Sequence, residues 1–154
     1  MIDIYTDGSS TGKVGPGGWA FVVVDSGIIT ARAYGGQDGT TNNQMELYAV
    51  TQALKYIHEK LHDEFPCTIW SDSQYVVRGI NEYYPKWNLQ MKMGKKLIKN
   101  QAFWLELKEV RNLLTNVEIK WIKGHSGNEY NDIADKLAKE GKDIIKVVKN
   151  GQDK

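Results

Sequence analysis

Four carboxylates stand beside segment boundaries of this chain. They are Asp7 in Tyr5-Thr6-Asp7-Gly8-Ser9, Glu46 in Thr40-Thr41-Asn42-Asn43-Gln44-Met45-Glu46-Leu47, Asp72 in Ser71-Asp72-Ser73-Gln74-Tyr75-Val76, and Asp135 in Asn131-Asp132-Ile133-Ala134-Asp135-Lys136-Leu137-Ala138. Asp7 and Asp72 end predicted strands, whereas Glu46 and Asp135 lie in predicted helices. A fold that gathers them makes an all-oxygen cluster that repels itself unless hard divalent cations sit in it. Two such cations about 3.5–4 Å apart form a clamp for cleaving or joining phosphodiesters. Taken singly, each acid has an ordinary explanation. Asp7-Gly8 is turn chemistry, and Glu46 follows Asn43 at capping-box spacing. Asp72 is placed to cap the helix of Gln74 and Val76, and Asp135 is placed to pair with Lys139 on a solvated helix face. Taken together, the ordinary readings require four coincidences.

His125, in Lys123-Gly124-His125-Ser126-Gly127, stands between a strand and a helix. A neutral imidazole there can accept or pass a proton near neutral pH; the alternative is an exposed loop histidine without a role. His58 and His62 are four apart on a predicted helix but lack a further soft ligand, so they read as surface residues rather than a zinc site.

The elements that must position these groups follow from periodicity. Ile2 to Thr6 alternates as a strand. Gly12 to Gly18 reads as a turn region, and Trp19–Val24 and Ile28–Tyr34 read as a hairpin around Asp25-Ser26-Gly27. Leu47, Val50, Leu54, Ile57 and Leu61 mark one face of an amphipathic helix over 43–61. A strand over 67–71 precedes a helix over 73–80, and Pro85 is placed to begin another short helix. A helix over 100–114 and a strand over 117–122 follow. A last helix over 129–140 is expected to stop at Gly141. This order predicts an α/β domain with a five-stranded mixed sheet, three antiparallel strands followed by parallel crossovers, flanked by helices. Sites in such sheets form at the carboxyl ends of parallel strands. The expected division is a catalytic domain over 1–141 and a polar tail over 142–154.

Composition narrows the class. The chain has 154 residues, 41% hydrophobic and 25% charged, as expected of one globular domain. Cys67 is the single cysteine, which excludes an internal disulfide. The N-terminus lacks a signal-like apolar core, and no apolar run spans a bilayer. The net charge is +1, but five lysines and no acid fall between Lys86 and Lys99. Such a basic segment beside an acidic cluster is the charge division a phosphodiesterase needs. The segment from Tyr83 to Lys96 also carries aromatics, and reads either as a solvated amphipathic stretch or as a surface that grips a duplex.

The four motifs occur here in the order seen in type 1 ribonuclease H, and the chain resembles that family from about Ile2 to Ala138. The resemblance implies the ribonuclease H-like fold and an endonuclease that cuts the RNA strand of RNA–DNA hybrids, leaving 5′-phosphate and 3′-hydroxyl ends. It implies that Asp7, Glu46, Asp72 and Asp135 hold two Mg²⁺ ions, with Mn²⁺ able to substitute, and that His125 assists. It implies that Asn42, Asn43 and Gln74 contact the hybrid's minor groove, and that Thr41 and Asn100 hold a DNA phosphate. It also places Trp87, Lys92, Lys95 and Lys96 in a basic protrusion. The first loop departs from the family's Asn-Pro-Gly-Pro-Gly: Lys13-Val14-Gly15-Pro16-Gly17 lacks the asparagine and offers Lys13 to a phosphate instead. The implied partner is the hybrid, with no membrane and no obligate protein partner, for a monomer in the cytoplasm. The alternatives are a non-catalytic hybrid-binding module and a nuclease domain excised from a reverse transcriptase. Met1 directly before the first strand argues for a free-standing protein.

Overall fold

The computed structural model of the chain describes residues 1–83, 92–93, 96–97 and 99–152. Its frame is a five-stranded sheet built from β1 (Ile2–Ser10), β2 (Gly15–Asp25), β3 (Ile28–Thr40), β4 (Cys67–Ser71) and β7 (Val117–Trp121). The strands lie in the order β3-β2-β1-β4-β7. β1, β2 and β3 pair antiparallel, while β4 joins β1, and β7 joins β4, in parallel. The mixed sheet expected from the sequence is therefore the one observed. A two-residue turn joins β2 to β3, with both Ser26 (φ 51°) and Gly27 (φ 84°) at positive φ. That is the backbone twist a tight hairpin favours.

Helices cover both faces. α1 (Asn42–Tyr56) continues as a π-helical turn over Ile57–Leu61, and α3 (Gln101–Arg111) packs beside it. Together with Ile2, Ile4, Phe21, Val23, Ile69 and Ile119 from the sheet, they enclose the larger core. Of the face predicted from spacing, Leu47, Val50, Leu54 and Ile57 are fully buried in it, and Leu61 packs against it only partly buried. On the opposite face α4 (Glu129–Gln152) lies across β1, β2 and β3 and buries Tyr5, Ala20, Val22, Ala134 and Ala138. The short α2 (Gln74–Arg78) runs into a second π-helical turn over Gly79–Tyr83. No helix among the described residues is long and apolar enough to cross a membrane.

Three local expectations need correction. β1 does not stop at Asp7: its antiparallel ladder with β2 continues to Ser10, whereas its parallel ladder with β4 ends at Thr6 opposite Ser71. The glycine-rich stretch expected as turn belongs partly to β2, which starts at Gly15 and passes a bulge before Gly17. Gly141 does not end the last helix, which continues to Gln152. Gly141 is buried because α4 lies directly on β3 there; a Cβ at this position would stand 2.1 Å from the Gly35 carbonyl oxygen. The glycine signals close approach rather than a helix stop.

Of the basic segment, Trp87, Lys95 and the helix expected from Pro85 lie outside the described residues. For Lys92 and Lys96 only the backbone is described, in the paired two-residue strands β5 (Lys92–Met93) and β6 (Lys96–Leu97).

Candidate active site

The register of the parallel strands builds the site. Thr6 of β1 faces Ser71 of β4, so Asp7 and Asp72 are the next residues along, side by side where the parallel ladder ends. Glu46 reaches them from α1, and Asp135 from α4. Carboxylate oxygens of Asp7, Glu46 and Asp72 lie within 4.8 Å of one another. Asp135 is outside that set but is hydrogen-bonded to Asp7. Asp7 and Glu46 are only 4% and 7% exposed, an unusual depth for two acids in contact.

The capping explanations for these acids do not hold in the fold. Thr41 is the N-cap of α1 and accepts from the Gln44 amide at 3.1 Å. Glu46 sits in the second turn, where its Oε1 accepts from the Gly8 amide at 2.8 Å. Gly8 allows this contact because β1 nearly touches α1: a Cβ on it would meet Glu46 N and Met45 C at 2.3 Å. Ser71 Oγ bonds Glu46 Oε2 at 3.5 Å and accepts from the Ser73 amide at 3.1 Å. Ser73, not Asp72, caps α2 through Val76 N at 3.2 Å. Asp72 is thereby left for the cluster, with its carbonyl held by the Trp121 indole N–H at 3.2 Å. The expected Asp135–Lys139 pair is present at 3.0 Å, but it lies at the edge of the cluster rather than on a free helix face. Asp132, three residues earlier, is exposed.

The electrostatics follow from crowding. Burial pushes the Asp7 carboxyl far above the usual carboxylate range, and the neighbouring Glu46 adds to this. Burial also raises Glu46, against the lowering effect of its hydrogen bond with Asp7. Burial and then the charge of Asp135 raise Asp72. For Asp135, burial pushes upward, but the hydrogen bond to Asp7 and the Lys139 ammonium outweigh it and the carboxyl sits low. The donor set consists of carboxylate oxygens alone, with repulsion that a hard divalent cation would relieve, so these residues suit such an ion.

His125 stands exposed at φ 53° in the loop after β7. It is near enough to Asp72 and Asp135 for its charge to act on both. Gly124 brings this loop onto the cluster: a Cβ there would lie 2.9 Å from Asp72 Oδ2.

The residues expected to hold nucleic acid occupy neighbouring surfaces. Thr41, Asn42, Asn43 and Asn100 line one pocket of ≈ 620 Å³ with Lys13 and Lys99. Asn42 Oδ1 accepts from the Ser10 amide at 2.6 Å, tying α1 to the end of β1. Asn100, in the left-handed region at φ 60°, accepts from Gln44 Nε2 at 3.3 Å and donates to the Tyr75 hydroxyl at 3.1 Å. The Trp104 indole donates to the same hydroxyl at 3.0 Å, which anchors this wall to the core. Gln74 is exposed at the start of α2. Sequence reasoning missed Gly8, Ser71, Gly124 and Trp121 as shapers of the site. Their signal, adjacency to a candidate acid or to His125, has no force until the strands are in register.

A family model for RNase H matches residues 1–143. The ribonuclease H of Chromobacterium violaceum is 38% identical over 148 residues, covering 94% of this chain and 96% of that protein. Among solved structures, LC9-RNase H1, a type 1 RNase H with the type 2 active-site motif, superposes with a TM-score of 0.76 at 30% identity, over 89% of this chain and 69% of that one. LC11-RNase H1, solved in complex with an RNA/DNA hybrid, shares the fold with a TM-score of 0.75 at 24% identity, over 94% of this chain and 99% of that one. With the motifs in order, the fold in register and relatives matched over nearly their full length, the chain belongs to the type 1 ribonuclease H family.

Proposed function

We propose that the chain is a metal-dependent endonuclease that hydrolyses the RNA strand of RNA–DNA hybrids, leaving 5′-phosphate and 3′-hydroxyl ends. The observation that carries this reading is the buried set of Asp7, Glu46 and Asp72, with oxygens within 4.8 Å of one another, at the end of the parallel ladder of a ribonuclease H fold. Two Mg²⁺ ions, one held by Asp7 and Asp135 and one by Asp7, Glu46 and Asp72, would supply the Lewis acidity that activates water and steadies the departing 3′-oxygen, with Mn²⁺ able to substitute. Asp7, the most central acid, would serve as a ligand to both. The Gly8 amide and Ser71 hydroxyl orient Glu46, and the Trp121 indole fixes the backbone at Asp72. His125 carries protons at its imidazole for water activation or product departure.

Asn42, Asn43 and Gln74 offer amides that suit 2′-hydroxyls and minor-groove base edges. Thr41 and Asn100 hold a DNA-strand phosphate, joined by Lys13 where the family's asparagine is missing. Trp87, Lys92, Lys95 and Lys96 grip the duplex backbone. The enzyme acts as a monomer in the cytoplasm.

The test is incubation with labelled hybrid, duplex RNA, duplex DNA and single-stranded RNA, each with and without Mg²⁺. The expected result is cleavage of the RNA strand of the hybrid alone, and only with the ion. Tight hybrid binding without cleavage would reject the enzyme in favour of a binding module.

A further inference from the structure

The walls of the pocket lined by Lys13, Thr41, Lys99 and Asn100 are joined by a chain of hydrogen bonds. Thr40 Oγ1, buried at the end of β3, donates to Gln44 Oε1 at 3.1 Å. Gln44 Nε2 donates to Asn100 Oδ1 at 3.3 Å, and the Gln44 backbone amide donates to Thr41 Oγ1 at 3.1 Å. Asn100 Nδ2 donates to the Tyr75 hydroxyl at 3.1 Å, which also accepts from Trp104 Nε1 at 3.0 Å. Trp104 is 1% exposed, and its ring meets the Tyr75 ring edge-on at 5.7 Å. The chain of bonds therefore begins at a buried threonine and ends at a buried tryptophan. Gln44 and Tyr75 are its middle links, and neither lines the pocket. The groups these bonds leave unspent are donors. Thr41 Oγ1 accepts from Gln44, so its O–H is left to donate. Asn100 has its Oδ1 on Gln44 and one amide hydrogen on Tyr75, so its other N–H remains. The same two bonds fix the Asn100 amide plane on a backbone at φ 60°, where few residues other than glycine sit.

We propose that Gln44 and Tyr75 are positioning residues for hybrid cleavage: they set the separation of Thr41 and Asn100 and tie that pair to the helix that starts beside Asp72. The proposal rests on the reading above, in which Thr41 and Asn100 hold a DNA-strand phosphate. Gln44 bonds both residues of the pair, one through its backbone and one through its side chain. Tyr75 carries the link onward to α2, whose N-cap Ser73 directly follows Asp72. A phosphate held by the pair is thereby placed relative to the acidic cluster through bonded side chains rather than through loop backbone alone. An Asn100 amide held by two partners needs little ordering when the phosphate arrives. Removing either partner returns rotamer freedom to Asn100, and that cost falls on binding. Neither Gln44 nor Tyr75 belongs to the cluster of acids, so the chemical step is spared.

The experiment measures KM and kcat on a hybrid with one defined cleavage position. The proteins are the wild type, Gln44→Met, Tyr75→Phe, Asn100→Ala, and each of the first two changes combined with Asn100→Ala. Gln44→Met and Tyr75→Phe keep the shape of the side chain and remove the bond to Asn100. Each should raise KM about three- to tenfold, the range covered by one lost hydrogen bond, and leave kcat nearly intact. In the Asn100→Ala background neither change should add to KM, because the residue through which it acts is gone. A second arm replaces the DNA-strand phosphates one at a time by uncharged methylphosphonates. The wild type should lose affinity at the position seated on Thr41 and Asn100, and Gln44→Met should lose distinctly less there while matching the wild type at other positions. Ile57→Val, a core change far along α1, serves as a stability control. KM penalties that add fully to Asn100→Ala, that Ile57→Val reproduces at equal loss of Tm, or that fall on kcat alone would overturn the proposal and leave the network as a support for the fold. An unchanged KM in Gln44→Met would also overturn it. Gln44 lies outside both cores, so that variant decides the matter alone should Tyr75→Phe not fold. A wild type that cleaves no hybrid would instead reject the proposed function.

Discussion

Neutralising Asp7 should separate stability from activity, because the fold gathers acids that a cation-free protein keeps together at a cost. Asp7 is 4% exposed, and burial and Glu46 raise its carboxyl far above the usual range. A raised carboxyl contributes most to stability below its unfolded value, near pH 4, and that contribution is lost as pH rises toward the folded value. If Asp7 carried the whole shift, the loss at pH 7 would be about 1.36 kcal/mol per pH unit over roughly three units, or ~4 kcal/mol. Glu46 and Asp72 share the repulsion, so a net gain of ~1–2 kcal/mol is expected from Asp7→Asn. For a domain of this size that is a Tm rise of about 3–8 °C. The amide NH₂ can also donate to two of the carboxylates hydrogen-bonded to Asp7, which are Glu46, Asp72 and Asp135, without needing a titratable proton.

The assay is thermal unfolding of both proteins in chelator from pH 5 to pH 8, repeated with Mg²⁺. Without the ion, the variant should gain on the wild type steadily as pH rises. With Mg²⁺ the wild type should rise and close the gap, while the variant should respond weakly and cleave no hybrid at a measurable rate. A variant no more stable than the wild type at pH 8 in chelator, or a gap that does not change with pH, would refute the reasoning about the cluster.

Four further outcomes follow. Asp135→Asn should abolish most hybrid cleavage and Asp132→Asn little, since Asp135 bonds Asp7 and Asp132 is exposed; comparing their kcat values decides which acid of α4 matters. Gly8→Ala should destabilise the fold by about 1–3 kcal/mol, because its Cβ meets the backbone of α1 at 2.3 Å, and should lower Mg²⁺ affinity by displacing Glu46; calorimetric titration reads the second effect in the folded fraction. Gly141→Ala discriminates local propensity from packing. Helix propensity predicts a gain of about 1 kcal/mol, whereas a Cβ at 2.1 Å from Gly35 O predicts a loss of similar size or larger, and the loss is expected in urea denaturation. Replacing Lys92, Lys95 and Lys96 together by alanine should raise KM, most visibly at low salt, and flatten the salt dependence by roughly one unit per lost phosphate contact while sparing kcat.

Much of the architecture was legible in the residues alone. The 3-4-3 spacing of Leu47, Val50, Leu54 and Ile57 determined the buried face of α1, because periodicity follows from local helix geometry. The hairpin at Ser26-Gly27 was likewise local, since both residues must adopt positive φ. The four acids could be singled out because their motifs stand in a recognisable order. What they do to one another could not be read there. Asp7 and Glu46 meet through a contact between residues 38 positions apart at Gly8, and Asp7 and Asp72 are neighbours only because Thr6 pairs with Ser71. Spacing offered Asn43 and Asp72 as caps, but the chain used Thr41 and Ser73 and left the acids for the cluster.

The same limit explains the ends of elements. Gly141 reads as a helix stop because a glycine past an apolar stripe usually is one. Only the approach of α4 to Gly35 shows that the missing side chain makes room for a strand. Trp121 looks like one more apolar strand residue until β7 pairs with β4 and brings its indole to the Asp72 carbonyl. Local sequence determined which segments became helix and strand, since propensity and periodicity act over a few residues. The tertiary structure alone decided which acids are buried together, how far their protonation is displaced and which aromatic faces the site, because burial and Coulomb energy depend on distances that the chain closes only when it folds.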